Sequence, residues 1–260
     1  MATYNISFIG AGNVAESLAR GLAAAGHRII SVSSKSGVSA GALASMTGAE
    51  CRRDLSVPSD CDLLLVCVTD NAVAQVAAGA IIPAHTVVAH TAGSVPLSAL
   101  GRTSGAGVLY PLQTFTKGFP PDLRKVPFFI EATDDRTLQI LKETGESIGS
   151  GVWECDSQKR RQLHVAAVFT NNFSNFMMTT GEAVAREAGI NPALLRPLME
   201  ETVRKAVRTG PEAAQTGPAV RHDTVTVKSH IELLSFSPQY QKLYRLVSRM
   251  ITGHYRKRKK

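Results

Sequence analysis

Ile9-Gly10-Ala11-Gly12-Asn13-Val14-Ala15 spaces two glycines and a small residue as G-x-G-x-x-A directly after a short apolar run. That spacing suits the holding of a dinucleotide. The first glycine permits a tight strand-to-helix turn, the second lets backbone approach a pyrophosphate, and Ala15 lets helix and strand pack closely. Free N–H groups at the helix start then meet the phosphates with a partial positive charge. Gly10, Ala11, Gly12, Asn13 and Val14 are therefore the expected cradle. At the end of the second strand, where an NAD-specific site carries a carboxylate for the ribose hydroxyls, this chain has Ser33-Ser34-Lys35-Ser36. Hydroxyls and a cation suit a 2′-phosphate that a carboxylate would repel, so NADP is expected ahead of NAD. The competing reading makes these residues a solvated loop.

Ligands of open α/β sheets bind beyond the carboxyl ends of the strands. That adds Val68, Thr69 and Asp70 after one strand, and His90, Thr91 and Ala92, with Gly93 and Ser94, after the next. Asp70 equally suits the N-cap of a helix starting at Asn71. Hydride delivered to a C=O or C=N leaves negative charge on oxygen or nitrogen, which a proton donor relieves. His164 is the first candidate donor and Tyr110 the second. Asn171 lies seven residues beyond His164 on the same helical face, with Asn175 one turn further. Arg221 suits a substrate carboxylate held by two parallel hydrogen bonds, with Asp223 to orient it. Each has a structural alternative: His164 and the asparagines satisfying one another in a core, Tyr110 packing as an aromatic, and Asp223 capping the helix through Val227 and Ile231.

The elements that must position these groups fall into two kinds. Strands are expected at Tyr4–Ile9, Arg28–Ser33, Asp62–Val68, Thr86–His90, Gly107–Tyr110, Pro127–Glu131 and Gly151–Glu154, alternating with helices at Asn13–Ala25, Val38–Thr47, Asn71–Ala78 and Asp134–Ile148. The alternation argues for βαβ units in a mostly parallel sheet. Leu63 to Val68, apolar throughout, fits a central strand covered on both faces. Beyond Glu154 only helices are expected: Arg160–Ala188, Pro192–Arg208, Asp223–Leu234 and Pro238–Tyr255. The fold class is α/β: a Rossmann-like parallel sheet over residues 1–155, then an all-helical substrate and dimerisation domain over 156–260. From Leu163 to Gly181 no residue is charged, which predicts a buried central helix, enclosed by its own domain or a second subunit, and a homodimer is the simplest enclosure.

Composition narrows the classes. Hydrophobic residues at 44% and charged residues at 19% fit a packed globular chain. The net charge of +8 owes five charges to Arg256-Lys257-Arg258-Lys259-Lys260. That tail reads as a solvated end, and nucleic-acid binding ranks last among the functions considered. The absence of a targeting stretch and of a long apolar run leads to an expectation of a cytoplasmic protein with no membrane contact. Cys51, Cys61, Cys67 and Cys155 lack metal-ligand or disulfide spacing, so no metal is expected and buried small apolar roles are.

The opening turn resembles those of the pyrroline-5-carboxylate reductase and β-hydroxyacid dehydrogenase superfamily. The chain as a whole more closely resembles a group with a Rossmann-like start and a C-terminal domain of unknown function 2520, described as NADP oxidoreductases. The matching segments are Gly10–Ala15, His90–Ser94, Tyr110–Phe115, Ala166–Phe173 and Thr216–Asp223. The resemblance implies an NADP-dependent oxidoreductase reducing C=O or C=N in a small carboxylate-bearing substrate, with NAD or the deazaflavin F420 behind NADP as cofactors. β-Hydroxyacid dehydrogenases carry a catalytic Lys followed by Asn at the start of the long helix, where this chain offers His164. That departure changes reach and pKa and keeps a second reading open, a non-catalytic NADP-binding sensor or scaffold.

Overall fold

Leu63–Val66, four apolar residues all but fully enclosed, forms the strand β4 at the middle of an eight-stranded sheet. The computed structural model describes residues 2–102 and 104–256. Contacts divide them into two compact units, one ending at Asn171 and the other beginning at Asn172.

In the first unit β1 (Asn5–Ile9) and β5 (Val87–His90) flank β4, and all three run parallel. Outward from β1 lie β2 (Arg28–Ser33) and β3 (Glu50–Arg52); outward from β5 lie β6 (Ala106–Pro111), β7 (Pro127–Ala132) and β8 (Gly151–Glu154). Every pairing is parallel except β6 with β7. The connection between those two holds a Thr116–Phe119 bridge and a short 3₁₀ turn at Leu123–Lys125, and an antiparallel neighbour needs no crossover helix. Three helices, α1 (Asn13–Ala24), α2 (Gly37–Thr47) and, after α3 (Val73–Gly79), α4 (Asp135–Ile148), supply Leu18, Leu22, Leu43 and Leu141 to the core on one face, against Phe8, Leu63, Leu65 and Phe128. On the other face Ile9, Leu64, Val66 and Val88 pack with Val73 and Leu100. The doubly covered sheet expected from the apolar strands is thus present.

Differences from the expected elements have local causes. The three residues of β3 are too few to show an alternation, and Cys51 within it is exposed, correcting the expectation that all four cysteines are buried. The helix expected at Asn71–Ala78 opens as a 3₁₀ turn over Asp70–Ala72. The long helix starts early, as α5 (Ser157–Ala167), because the Asp156 side chain caps it by accepting from Lys159 N–H at 2.8 Å. It passes through a π turn at Val168–Phe173 into α6 (Ser174–Glu187). The burial expected for the charge-free stretch is not met within one chain, since Val165, Phe169 and Phe176 are 55%, 60% and 51% exposed. Absence of charge signals that a face wants cover and carries no information on which chain provides it.

The second unit continues with α7 (Arg196–Thr209), the short α8 (Pro211–Ala214), α9 (Thr224–Leu233) and α10 (Pro238–Arg256). An apolar cavity of about 630 Å³ lies among α6, α9 and α10, with the His230–Tyr244 hydrogen bond of 2.7 Å on its wall. No helix among the described residues is long and apolar enough to cross a membrane. Of the basic tail, Lys257 to Lys260 fall outside the described residues.

Asp134 ties the sheet to α4: its carboxylate accepts from Gly105 N–H at 2.8 Å and Thr137 N–H at 2.9 Å. These bonds, the Gly105 one foremost, hold the group well below the ordinary carboxylate range despite partial desolvation. A depressed native pKa stabilises the fold above the unfolded-state pKa and is lost as pH falls through the native one. The expected outcome is that Asp134→Ala costs about 1 kcal/mol near neutral pH. Urea titrations should show that difference constant above the ordinary carboxylate range and shrinking below it.

Candidate active site

Gly10 carries φ of +105°, and its N–H donates to Ser33 C=O at 2.8 Å. A Cβ there would lie 2.1 Å from the carbonyl oxygen of Cys67, so only glycine lets β1 turn this close to the end of β4. Beneath the turn the Cys67 thiol is pushed up to about 12 by burial and stays neutral. Two residues on, Gly12 precedes α1 without any side-chain cap, and the space its Cβ would enter is empty to 4 Å. Uncapped amides beside open space fit a diphosphate. Asn13 Nδ2 donates to Phe115 C=O at 3.0 Å, bringing the loop after β6 against the glycine turn.

At the end of β2, Ser33 is buried while Ser34 is half-buried and Lys35 exposed. Ser36 accepts weakly from Ser39 N–H and caps α2. The parallel register sets Arg52 opposite Ser33, and the exposed Arg53 follows it at the same carboxyl edge. Sequence reading did not place Arg53 there, because a three-residue edge strand gives no pattern.

After β4, Thr69 and Asp70 are exposed and Val68 half-buried. Asp70 caps no helix; its carboxylate instead accepts a hydrogen bond from the Ser94 hydroxyl, joining the loops that follow β4 and β5. His90 is fully enclosed: Nδ1 accepts from Ala92 N–H at 3.2 Å, and Nε2 has no partner among the described residues. Burial foremost, then the nearby Arg160 charge, brings its pKa down to about 4, so the ring is neutral. Its side chain shapes the loop through Thr91 and Ala92 and does not open to solvent.

Gly93 in that loop is where two rings meet. A Cβ there would lie 2.8 Å from both His164 Nδ1 and Tyr110 Cζ. Tyr110 Oη and His164 Nδ1 are 3.3 Å apart, the rings edge to face at 70°. Desolvation raises the Tyr110 pKa, with Arg160 opposing the rise and Asp70 adding to it, so the phenol keeps its proton and donates to Nδ1 when the imidazole carries its own proton on Nε2.

The other sequence candidates lie on other elements. Asn171, expected on the face of His164 by an uninterrupted α-helix, falls inside the π turn, which closes i to i+5. Asn175, Arg221 and Asp223 belong to the second unit. Asp223 is the N-cap of α9, accepting from Thr226 N–H at 3.0 Å and from its hydroxyl at 2.6 Å. Those bonds hold it below the ordinary carboxylate range, the pull of Arg221 being a smaller cause. Its oxygens are committed to the cap.

Sequence reading missed Arg160, whose side chain is fully buried. Its guanidinium pairs with the Glu131 carboxylate and donates to Val95 C=O at 2.6 Å and to Ser157 Oγ at 3.2 Å. Ser157 in turn donates to Glu131 at 2.7 Å and accepts from Leu97 N–H at 3.0 Å. One turn of α5 therefore locks to β7 and to the loop carrying Gly93, and the next turn presents His164. An acid and a base 29 residues apart leave no sequence signal.

Residues 126–251 match the family model described as a domain of unknown function, DUF2520, and residues 5–93 the one described as NADP oxidoreductase, coenzyme F420-dependent. No curated protein matches the chain. Among solved structures, a candidate NADP oxidoreductase from Bacteroides fragilis is 36% identical with a TM-score of 0.86, over 96% of this chain and 98% of that one. A reductive aminase from Aspergillus terreus in complex with NADPH and ethyl levulinate is 18% identical, TM-score 0.70, over 97% of this chain and 95% of that one. A pyrroline-5-carboxylate reductase from Coxiella burnetii is 19% identical, TM-score 0.57, over 98% of both chains. At those identities the last two likenesses are of fold alone.

Removing one partner of a buried ion pair costs about 3–5 kcal/mol, whereas replacing both by apolar groups is often neutral. Arg160→Met is expected to lose stability of that order, and Arg160→Met with Glu131→Met to regain most of it, as measured by urea unfolding. Gly93→Ala is expected to break the Tyr110–His164 hydrogen bond, read from a crystal structure of the variant.

Proposed function

Since the chain belongs to the family that joins a Rossmann-like NADP oxidoreductase domain to DUF2520, the family of the Bacteroides fragilis protein, we propose that it is an NADPH-dependent reductase of a C=O or C=N group in a small carboxylate-bearing substrate. One observation carries the reading: the uncapped glycine turn and the Tyr110–His164 pair lie at the same carboxyl edge of one sheet. NADPH, when bound, supplies the hydride. The amides that open α1 hold its diphosphate, and Ser34 and Lys35 at the end of β2 take the 2′-phosphate. Tyr110, neutral because burial raises its pKa, holds a proton at Oη for the oxygen or nitrogen that gains charge. His164, the less enclosed of the two, takes a proton from solvent and passes it from Nδ1 to the phenolate that the transfer leaves, restoring Tyr110. The roles given to Asn171, Asn175 and Arg221 rest on residue type alone.

We assign a homodimer to the exposed charge-free stretch, in which Val165, Phe176 and Met177 want apolar cover. A non-catalytic NADP-binding sensor is the second reading, favoured by His164 standing where β-hydroxyacid dehydrogenases place lysine.

Thermal melts of the full chain with NADP, NAD and no nucleotide test the cofactor assignment, because a ligand of the native state raises stability with its concentration. A larger shift with NADP is expected, and Lys35→Glu should abolish that preference. Equal shifts refute the 2′-phosphate assignment, and no shift refutes nucleotide binding. With any oxo acid or imine that consumes NADPH, Tyr110→Phe should bind cofactor unchanged and lose roughly a hundredfold in kcat. If no carbonyl or imine acid consumes NADPH, the sensor reading replaces the enzyme.

A further inference from the structure

A groove of about 450 Å³ between α9 and α10 gathers three cations against one carboxylate. Lys228 reaches it from α9, and Arg245 and Arg249, four residues apart on one face of α10, line it from the other side. Arg20, Arg186 and Arg204 pair with Glu16, Glu182 and Glu201 on their own helices. Lys228, Arg245 and Arg249 have no ion pair or hydrogen bond among the described residues. Asp223 is the carboxylate on the groove wall, and its oxygens are taken by Thr226. Like charges at helical i, i+4 spacing repel, and a third cation across a concave surface adds to the cost.

A second observation points the same way. His222, also on the wall, is the one non-glycine residue among those described with positive φ, at 58°. Glycine would occupy that backbone freely, whereas a side chain there is strained and persists where its surroundings hold it, often at binding sites. The imidazole is thus kept in the groove at a cost in stability. Ser248 adds a hydroxyl, and Val227 and Ile231 give the floor an apolar character.

We propose that this groove binds a small dianion with an apolar body, either a phosphate monoester or a dicarboxylate. Three cations less Asp223 leave two positive charges, which a dianion balances, and the volume falls in the range of small-molecule sites. Lys228, Arg245 and Arg249 supply the charge, and His222 supplies a directed hydrogen bond. The groove lies wholly within the second unit, so the assignment stands or falls separately from the nucleotide reading.

Isothermal titration calorimetry and thermal melts of the full chain, with inorganic phosphate, succinate and sodium chloride at matched ionic strength, test it. Saturable binding and stabilisation by phosphate or succinate, absent with chloride, is expected. A response to phosphate alone assigns a monoester, and one to succinate alone a dicarboxylate. Arg245→Ser with Arg249→Ser should weaken binding at least about tenfold, as loss of charge-assisted hydrogen bonds implies; this also separates the groove from the glycine turn of the first unit. His222→Gly should raise the melting temperature of the free protein while weakening the anion. Equal responses to all three salts, or unchanged affinity in both variants, overturns the proposal.

Discussion

A guanidinium with no route to water is costly unless the protein itself supplies a counter-charge and acceptors. Arg160 finds them for both terminal nitrogens at three places, the end of β7, the first turn of α5 and the loop after β5, while its Nε has no partner among the described residues. The geometry around Tyr110 and His164 follows from it. Glu131, Ser157 and Val95 together hold the start of α5, and His164 sits one turn beyond Arg160 on the same helix. Its charge also bears on the site, opposing the effect of burial on Tyr110 and adding to the effect of burial on His90.

Sheet topology does the rest of the positioning. Because β1, β2, β4, β5 and β6 run parallel, the glycine turn, Lys35, Asp70, the loop from Thr91 to Ser94 and Tyr110 all emerge at one edge. Short side-chain links then join neighbouring loops: Ser94 to Asp70, and Asn13 to the backbone of Phe115. Two glycines leave room where side chains would collide, Gly10 under the first turn and Gly93 beneath two rings.

The second unit presents the opposite problem, surfaces that its own residues do not complete. An apolar, charge-free length of helix that runs on from the first unit is open, and a groove of three cations holds one carboxylate, whose oxygens cap α9. Exposed apolar surface and clustered like charge both cost free energy, which a partner of matching chemistry would offset.

Local rules read well from the sequence where cause and effect lie within a few residues. Gly10 and Gly12 fixed the strand–turn–helix, the unbroken Leu63–Val66 run fixed a central doubly covered strand, and Asp223 before a periodic stretch allowed the cap that it forms. The sheet and the helical remainder were legible because hydrophobic period depends on neighbours in the chain. Tertiary structure alone decided which distant groups meet: Tyr110 with His164, Arg160 with Glu131, Asp70 with Ser94, Lys228 with Arg245 and Arg249. It also decided that Asn171 falls within a π turn and that one chain leaves its apolar helix uncovered. Side-chain pairing across tens of residues is set by packing and desolvation in three dimensions, and those terms leave no period in a linear sequence.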